Sequence, residues 1–191
     1  MIIGLTGGIA SGKSTVAAYL QQHYGIPVYD ADIYARLALA PGTPAWQAVV
    51  QRYGSQVLLT NGHINRRWLG ERIFEEPAER QWLESWIHPW VRQCYAQIPP
   101  ATGPVVYSIP LLFEAHMTDL VQQVWVVWCT TKQQYQRLIS RNQLTEAQAH
   151  ARITAQLPLP LKMLWADRLL DNSRTLTHLY QQIDQCVAAF K

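Results

Sequence analysis

The sequence has few cysteines, few charged residues and no long apolar run, and each shortage excludes a class of protein. Its three cysteines, Cys94, Cys129 and Cys186, form no C-x-x-C pair, so we expect reduced thiols and neither a disulfide framework nor a cysteine-bound metal. No apolar run approaches the roughly 18 residues that a membrane span requires. Charged residues make up 15% of the chain and the formal net charge is +3, which is too mild to indicate a nucleic-acid surface. No targeting segment is visible. We therefore expect a cytoplasmic protein with neither a membrane nor a nucleic-acid partner.

Two nucleotide motifs are also missing. The chain has no Asn-Lys-x-Asp for guanine, which argues against a GTPase. Its first turn has no G-x-G-x-x-G, which argues against a dinucleotide-dependent oxidoreductase. What remains is a globular chain of 191 residues, 49% of them hydrophobic, whose length suits one domain with a substantial core.

The first fifteen residues, MIIGLTGGIASGKST, carry the most specific motif that is present. An apolar run over Ile2–Thr6 predicts a buried strand, and the residues after it fit G-x-x-x-x-G-K-[ST] at every fixed position. Glycines allow a concave loop whose N–H groups point at an anion, and a side chain at Gly7 or Gly12 would crowd that loop. A helix beginning near Lys13 would turn its positive dipole end toward the same anion. We therefore predict phosphate binding, with Lys13 on the β- and γ-phosphates and Ser14 as the Mg²⁺ ligand. The predicted nucleotide-binding residues are Gly8, Ile9, Ala10, Ser11, Gly12, Lys13, Ser14 and Thr15.

A second short strand, predicted at Val28-Tyr29, delivers Asp30 and Asp32 to its carboxyl end. Ligands of parallel α/β sheets lie at that edge. One of the two carboxylates could instead simply cap the helix predicted over residues 33–39. We expect at least one of them to take part in the chemistry.

The next part of the chain, up to Pro100, has only helical patterns, and we predict a helical insertion over about residues 31–102. Trp82, Trp86 and Trp90 are spaced i, i+4, i+8 on one helix face. We interpret that stripe as a core face, with an aromatic wall for a bulky substrate as the alternative. Helices are predicted over 45–53, 66–74 and 79–97, with breaks at Gly54, Asn61-Gly62, Pro77 and Pro89.

Strand patterns return at Val105–Ile109, Val124–Trp128 and Leu169-Leu170, and a last helix is predicted over 175–190. The fold class is therefore α/β, a P-loop NTPase fold in which helices flank a five-stranded parallel sheet. We predict a single P-loop domain with a core over residues 1–30, 103–136 and 166–191. The third strand ends in Ser108 where an orthodox Walker B strand would carry an acid, and the nearest carboxylate is Glu114.

Two further helices are predicted over 132–141 and 146–156. Thr130 or Thr131 would cap the first, and Thr145 with Gln148 forms a capping box for the second. Arg137 and Arg141 lie at i, i+4 on one face, which fits a lid over about residues 137–165 that closes on transferring phosphates. A solvated surface is the alternative for each arginine.

Together, these segments resemble the dephospho-coenzyme A kinase family over essentially the whole chain. The most specific are GLTGGIASGKST, then Asp30-Ala31-Asp32 with Arg36, then His88-Pro89, then Pro110-Leu111-Leu112-Phe113-Glu114, in this order. The chain departs from the family pattern at Ala10, Asn65, Asn142-Gln143 and Pro160. Further matching segments are Pro41-Gly42, Glu71-Arg72-Ile73-Phe74, Arg137-Leu138 with Arg141, Ala155-Gln156-Leu157-Pro158, Lys162, Ala166-Asp167 and Asp171-Asn172.

The resemblance implies transfer of the ATP γ-phosphoryl group, with Mg²⁺, to the ribose 3′-hydroxyl of dephospho-CoA, giving CoA and ADP. We assign Asp32 to orient and deprotonate that hydroxyl, with Asp30 assisting. We then expect Lys13, Arg137 and Arg141 to contact the transferring phosphoryl group. Alternatively, one of the two arginines stacks on adenine. Asn172 is expected beside the base. His88 is equally well explained as a core residue fixed before a proline. The predicted acceptor contacts are Asp32, Arg36, Arg72, His88 and Leu112.

Three other functions fit some of the same residues. The chain could be another P-loop kinase, acting on a nucleoside, a nucleotide or shikimate. It could be a non-catalytic ATP-binding module that regulates a partner, which Asp32 and the lid arginines disfavour. A nucleic-acid-dependent ATPase would need a basic stripe and a further motor domain. We expect a monomer, or at most a weakly associating chain.

Overall fold

The computed structural model describes residues 1–190, with the side chains at positions 74 and 75 excepted. Lys191, the end of the predicted core, and the side chain of Phe74 in the segment 71–74 lie outside the described part. The chain divides into two compact units, Met1–Asp30 with Pro100–Lys191 and Ala31–Pro99. In the described part, no helix is long and apolar enough to cross a membrane.

The first unit is built on five parallel strands in the order β2-β3-β1-β4-β5. The central strand, β1, pairs Leu5 with Ser108 on one side and with Trp125 on the other. Both of its faces are covered, which explains its nearly continuous apolar sequence. The predicted fold class is confirmed. The strands are β1 Ile2–Gly7, β2 Val28–Asp30, β3 Val105–Ser108, β4 Gln123–Trp128 and β5 Arg168–Asp171.

Nine α-helices are assigned in the described residues, and local sequence signals explain most of their ends. Thr145 makes the predicted capping box with Gln148. Thr130, one of the two caps expected for the preceding helix, also makes a capping box, with Gln133. Gly25 ends the first helix in the left-handed conformation, at φ 65°. The helices are α1 Lys13–Tyr24, α2 Ala31–Ala38, α3 Pro44–Tyr53, α4 Arg66–Glu75, α5 Pro77–Ala96, α6 Thr131–Asn142, α7 Glu146–Thr154, α8 Leu159–Leu164 and α9 Leu176–Ala188.

The core of the first unit lies between the sheet and helices α1 and α9. Leu5 and Trp125 from the strands are fully buried with Leu20 from α1 and Leu179 and Ile183 from α9. This burial fixes the start of α1 against the end of β1. The loop between them, which carries the phosphate-binding motif, is therefore held at the carboxyl edge of the sheet.

Two predictions about the second unit, a helix break at Pro89 and a tryptophan core face, need correction. Helix α5 runs through Pro89, where a break was expected. Pro89 costs one backbone hydrogen bond, but Leu83 before it and Val91 and Tyr95 after it are buried, so packing holds both halves in one helix. The tryptophan stripe is a core face only in part, because Trp82 packs against the buried cluster that includes Leu83. Trp86 is 41% exposed, and its interpretation as a core residue is wrong.

Candidate nucleotide site

The phosphate-binding motif forms a tight loop between β1 and α1. The Ser11 N–H donates to the Gly8 carbonyl at 3.0 Å, and the Thr15 N–H donates to the Gly12 carbonyl at 3.0 Å as the helix begins. Ala10 has φ 60°, in the left-handed region, where a residue other than glycine is strained by roughly 1–2 kcal/mol. A glycine would adopt this conformation without that strain.

Two glycines of the motif leave no room for a side chain. A Cβ on Gly7 would clash with the Val127 carbonyl and lie 2.6 Å from Ser11 Oγ, and a Cβ on Gly12 would clash with the amide of Asn172. A side chain at either position would therefore crowd the loop, as expected, and the contacts name the protein atoms that it would meet.

Lys13 is held by a residue to which the sequence analysis gave no role. Its Nζ donates to Ser108 Oγ at 2.6 Å, and Ser108 is fully buried at the end of β3. In the strand register, Ser108 lies beside Asp30, the last residue of β2. Lys13, Ser108 and Asp30 thus belong to the same edge of the sheet. The signal in the sequence was the missing Walker B acid, because Ser108 stands in its place.

Glu114, the nearest carboxylate in sequence, is used elsewhere. It forms an ion pair with Lys162 at 2.7 Å and accepts the Leu157 N–H at 3.0 Å. Leu112, in the same segment, is fully buried. A Cβ on Gly4 would lie 3.2 Å from Leu112 Cδ2, which places Leu112 against β1. Its side chain is a core residue in this conformation and is not placed to contact an acceptor.

The two lid arginines have different surroundings. The Arg137 guanidinium donates to the Ser11 carbonyl at 3.4 Å and to the Asn172 carbonyl at 2.9 Å. Arg141 is exposed, and its Nε donates to Asn142 Oδ1 at 2.9 Å. Arg137 therefore contacts the loop backbone. Arg141 lies one turn further along α6 and bonds to its neighbour in sequence.

Asn172 also contacts the loop. Its side-chain amide donates to the Ser11 carbonyl at 2.7 Å, and it is 5% exposed. The structure thus uses this side-chain nitrogen to support the loop. A contact between Asn172 and the base stays a prediction.

Two glutamines for which no role was expected hold the backbone of one loop residue, Ile9. Gln134 Nε2 donates to the Ile9 carbonyl at 2.8 Å. The Ile9 N–H donates to Gln156 Oε1 at 2.8 Å. Both backbone polar groups of Ile9 are therefore paired with glutamine side chains, one from α6 and one from the predicted lid.

The predicted acceptor residues other than Leu112 lie in the second unit. Asp32 is in the first turn of α2 and Arg36 is in its last turn, and both are exposed. The Arg72 guanidinium carbon lies 5.5 Å from the centre of the Trp68 ring. His88 is half-buried in α5. Their roles stay predictions.

Comparison with known proteins identifies the family. The profile of CoaE, dephospho-CoA kinase, matches residues 1–178. The chain belongs to the dephospho-CoA kinase family. It is 52% identical over 186 residues to the dephospho-CoA kinase of Synechocystis sp., a match that covers 95% of this chain and 92% of that protein. It is 47% identical over 187 residues to that of Thermosynechococcus vestitus, covering 96% and 91%.

Solved structures agree with the family. Protein TT1252 from Thermus thermophilus matches with a TM-score of 0.81 at 30% identity, covering 100% of this chain and 98% of that one. Dephospho-CoA kinase from Campylobacter jejuni matches with a TM-score of 0.68 at 23% identity, covering 98% and 95%. Shikimate kinase from Acinetobacter baumannii matches at 0.58 and 16% identity over 100% and 94%, which indicates a shared fold with the dephospho-CoA kinase family.

Proposed function

We propose that this chain transfers the γ-phosphoryl group of ATP to the ribose 3′-hydroxyl of dephospho-CoA, giving CoA and ADP. The observation that carries the proposal is the family match over residues 1–178. The loop geometry supports the proposal, because Lys13, the first residue of α1, reaches Ser108 at the edge of the sheet.

In this proposal the loop and Lys13 bind the phosphates. Phosphoryl transfer needs little covalent help, so catalysis depends on positioning and on neutralising the charge of the phosphoryl oxygens. Lys13 rests on the neutral hydroxyl of Ser108. A phosphate oxygen is a stronger, charge-assisted acceptor, so Lys13 would transfer its hydrogen bond from Ser108 to the nucleotide. The buried Ser108 thus keeps the ammonium at the site before ATP arrives.

Ser14 is the residue proposed to bind Mg²⁺. It is exposed in the first turn of α1, directly after Lys13. No three histidine, cysteine, aspartate or glutamate side chains in the described part of the chain form a group that could hold a metal. A hydroxyl fits this ion when phosphate oxygens and water supply the other ligands. When bound, Mg²⁺ would neutralise phosphate charge.

The acceptor is proposed to bind through the second unit. Asp32 would orient the 3′-hydroxyl and take its proton, and Asp30, at the end of β2, would assist. Arg36 lies one helical turn beyond Asp32 on α2 and would contact the acceptor's phosphates. Arg72 and His88 are further predicted contacts.

Mg²⁺, a monomeric state and a cytoplasmic location are also predictions from the sequence.

The test is to incubate the purified protein with ATP, Mg²⁺ and dephospho-CoA and to detect CoA by mass. We expect one CoA for each ADP. Parallel reactions with a nucleoside, a nucleotide and shikimate separate the alternative kinases. ADP release with one of those acceptors, and none with dephospho-CoA, would refute the proposed acceptor.

A further inference from the structure

The backbone of Ile9 is held at both its N–H and its carbonyl by glutamine side chains. Gln134, 4% exposed in α6, donates from Nε2 to the Ile9 carbonyl at 2.8 Å. Gln156, just after α7, accepts the Ile9 N–H with its Oε1 at 2.8 Å. An amide side chain offers both a donor and an acceptor, and here one glutamine uses its donor and the other its acceptor.

Gly8 makes room for this arrangement. A Cβ on Gly8 would clash with Gln134 Nε2. The next nearest atoms to that Cβ are Gln134 Cδ at 3.4 Å and Leu159 Cδ2 at 3.6 Å. Gly8, which stands at a variable position of the motif, is therefore explained by its contact with Gln134.

A buried ion pair fixes the backbone beside Gln156. Lys162 is fully buried, and its Nζ lies 2.7 Å from Glu114 Oε1. The same oxygen accepts the N–H of Leu157, the residue after Gln156, at 3.0 Å. Lys162 also donates to the Pro110 carbonyl at 3.2 Å. A charge buried so deeply is stable only when it is paired, so Lys162 and Glu114 hold the segment that carries Gln156.

We propose that Gln134 and Gln156 are positioning residues that clamp the backbone N–H and C=O of Ile9 and thereby hold the phosphate-binding loop ready for the nucleotide. They act through Ile9 and do not touch the nucleotide themselves. The expected effect of the two glutamines on catalysis rests on the proposed function, whereas their expected effect on nucleotide affinity does not. A loop that must be ordered during binding gives weaker binding than one already in place.

The same substitution at the two positions tests the clamp. Gln156→Glu keeps an acceptor for the Ile9 N–H. Gln134→Glu removes the donor and places a carboxylate against the Ile9 carbonyl. Each variant adds one negative charge beside the backbone of Ile9. A difference in ADP affinity between the two variants therefore reports whether the side chain donates or accepts the hydrogen bond. We expect Gln134→Glu to weaken ADP binding about tenfold more than Gln156→Glu, the scale of one lost hydrogen bond.

The measurements are the Kd of ADP by calorimetry, the KM of ATP and of dephospho-CoA, kcat and the Tm. The KM of ATP should follow the Kd of ADP, and the KM of dephospho-CoA should stay unchanged. Gln136→Glu, exposed on the same helix, is the control for added charge and should not differ from the parent protein. If Gln134→Glu does not fold, Gln134→Met removes the donor without a charge and should weaken ADP binding about tenfold.

Three outcomes would overturn the clamp. Equal losses in Gln134→Glu and Gln156→Glu would show that charge alone acts. A lower Tm with unchanged ADP affinity would make the glutamines structural residues. Unchanged affinity in a folded Gln134→Met would show that the loop does not need the donor. A parent protein that binds ADP but makes no CoA refutes the proposed function, while the ADP affinities still decide the clamp.

Discussion

The two units use polar side chains in different ways. In the first unit they converge on the backbone of one loop: Arg137 and Asn172 share the Ser11 carbonyl, and two glutamines hold Ile9. In the second unit, the polar contacts around Glu79 join side chains with one another. Arg52 pairs with Glu79 at 2.5 Å, and the Tyr53 hydroxyl donates to it. The difference predicts that changes at the loop alter phosphate transfer, whereas changes around Glu79 alter stability.

Lys13→Ala should produce the largest effect and tests the first half of this comparison. It removes the cation at the site while leaving the core intact, so we expect kcat to fall at least about 10²–10³-fold, the cost of losing one preorganised donor. The measurement is CoA formation, with the Tm as a control for folding. Undiminished CoA formation would contradict the assignment of the loop.

Asp32→Asn tests whether the second unit contributes to the chemistry as well as to stability. The amide keeps the size of the side chain but cannot accept the proton of the 3′-hydroxyl. We expect kcat to fall at least about 10²-fold, the lower range for a lost general base. Steady-state kinetics decide the role: a change in KM alone would make Asp32 a binding residue and not the base.

Ser108→Ala should have a smaller effect than Lys13→Ala, because it leaves the ammonium but removes the group that holds it. We expect kcat/KM for ATP to fall about tenfold, the lower end of the scale for a hydrogen bond to a charged group. Ser85→Ala is the matched control, since Ser85 Oγ donates to the Trp82 carbonyl at 2.6 Å in the second unit. Equal kinetics for both variants would remove Ser108 from the site.

The contacts that these variants test differ in how far the sequence could predict them. The loop motif, the threonine caps and the buried strands are local patterns, and the structure has them where they were expected. Ser108 and Gln156 contact the loop across 95 and 147 residues of sequence, so no local pattern predicts either contact, and only the missing Walker B acid marked the position of Ser108. Trp86 was misassigned because periodicity identifies a face of a helix but not which face is covered. Helix α8 has only six residues and follows Pro158, so it has no periodic signal.

Glu79→Gln tests the stability half of the comparison through pH. Arg52 and then Tyr53 hydrogen-bond to the carboxylate and lower the pKa of Glu79 from 4.5 to about 2. A carboxylate with a lowered folded-state pKa stabilises the fold above its unfolded pKa, and that contribution is lost as the pH falls from about 4.5 toward 2. We expect Glu79→Gln to lower the Tm at pH 7 and the gap to the parent protein to narrow over this range.

The control for Glu79 is Glu71→Gln, because the Arg67–Glu71 pair is exposed at 91% and 63% and should contribute little. Thermal unfolding at pH 7, 4.5 and 3 gives the comparison. A gap for Glu79→Gln that stays constant over these three values would mean that the carboxylate charge does not act. The kcat at pH 7 should be unchanged in both variants.

Ala10→Gly should change stability by the smallest amount of these variants. Replacement of alanine by glycine usually destabilises a protein, but here we expect it to stabilise the fold. Ala10 is strained at φ 60°, and glycine adopts that conformation freely at an entropic cost of about 0.5–1 kcal/mol. Relief of about 1–2 kcal/mol of strain leaves a net gain of roughly 0.5–1 kcal/mol, which is about 1–4 °C in Tm for a chain of this size. Ala18→Gly, exposed within α1, should instead lose about 1 kcal/mol. Opposite signs for one chemical change would show that the loop backbone carries strain that the helix does not, and a loss at both positions would refute it.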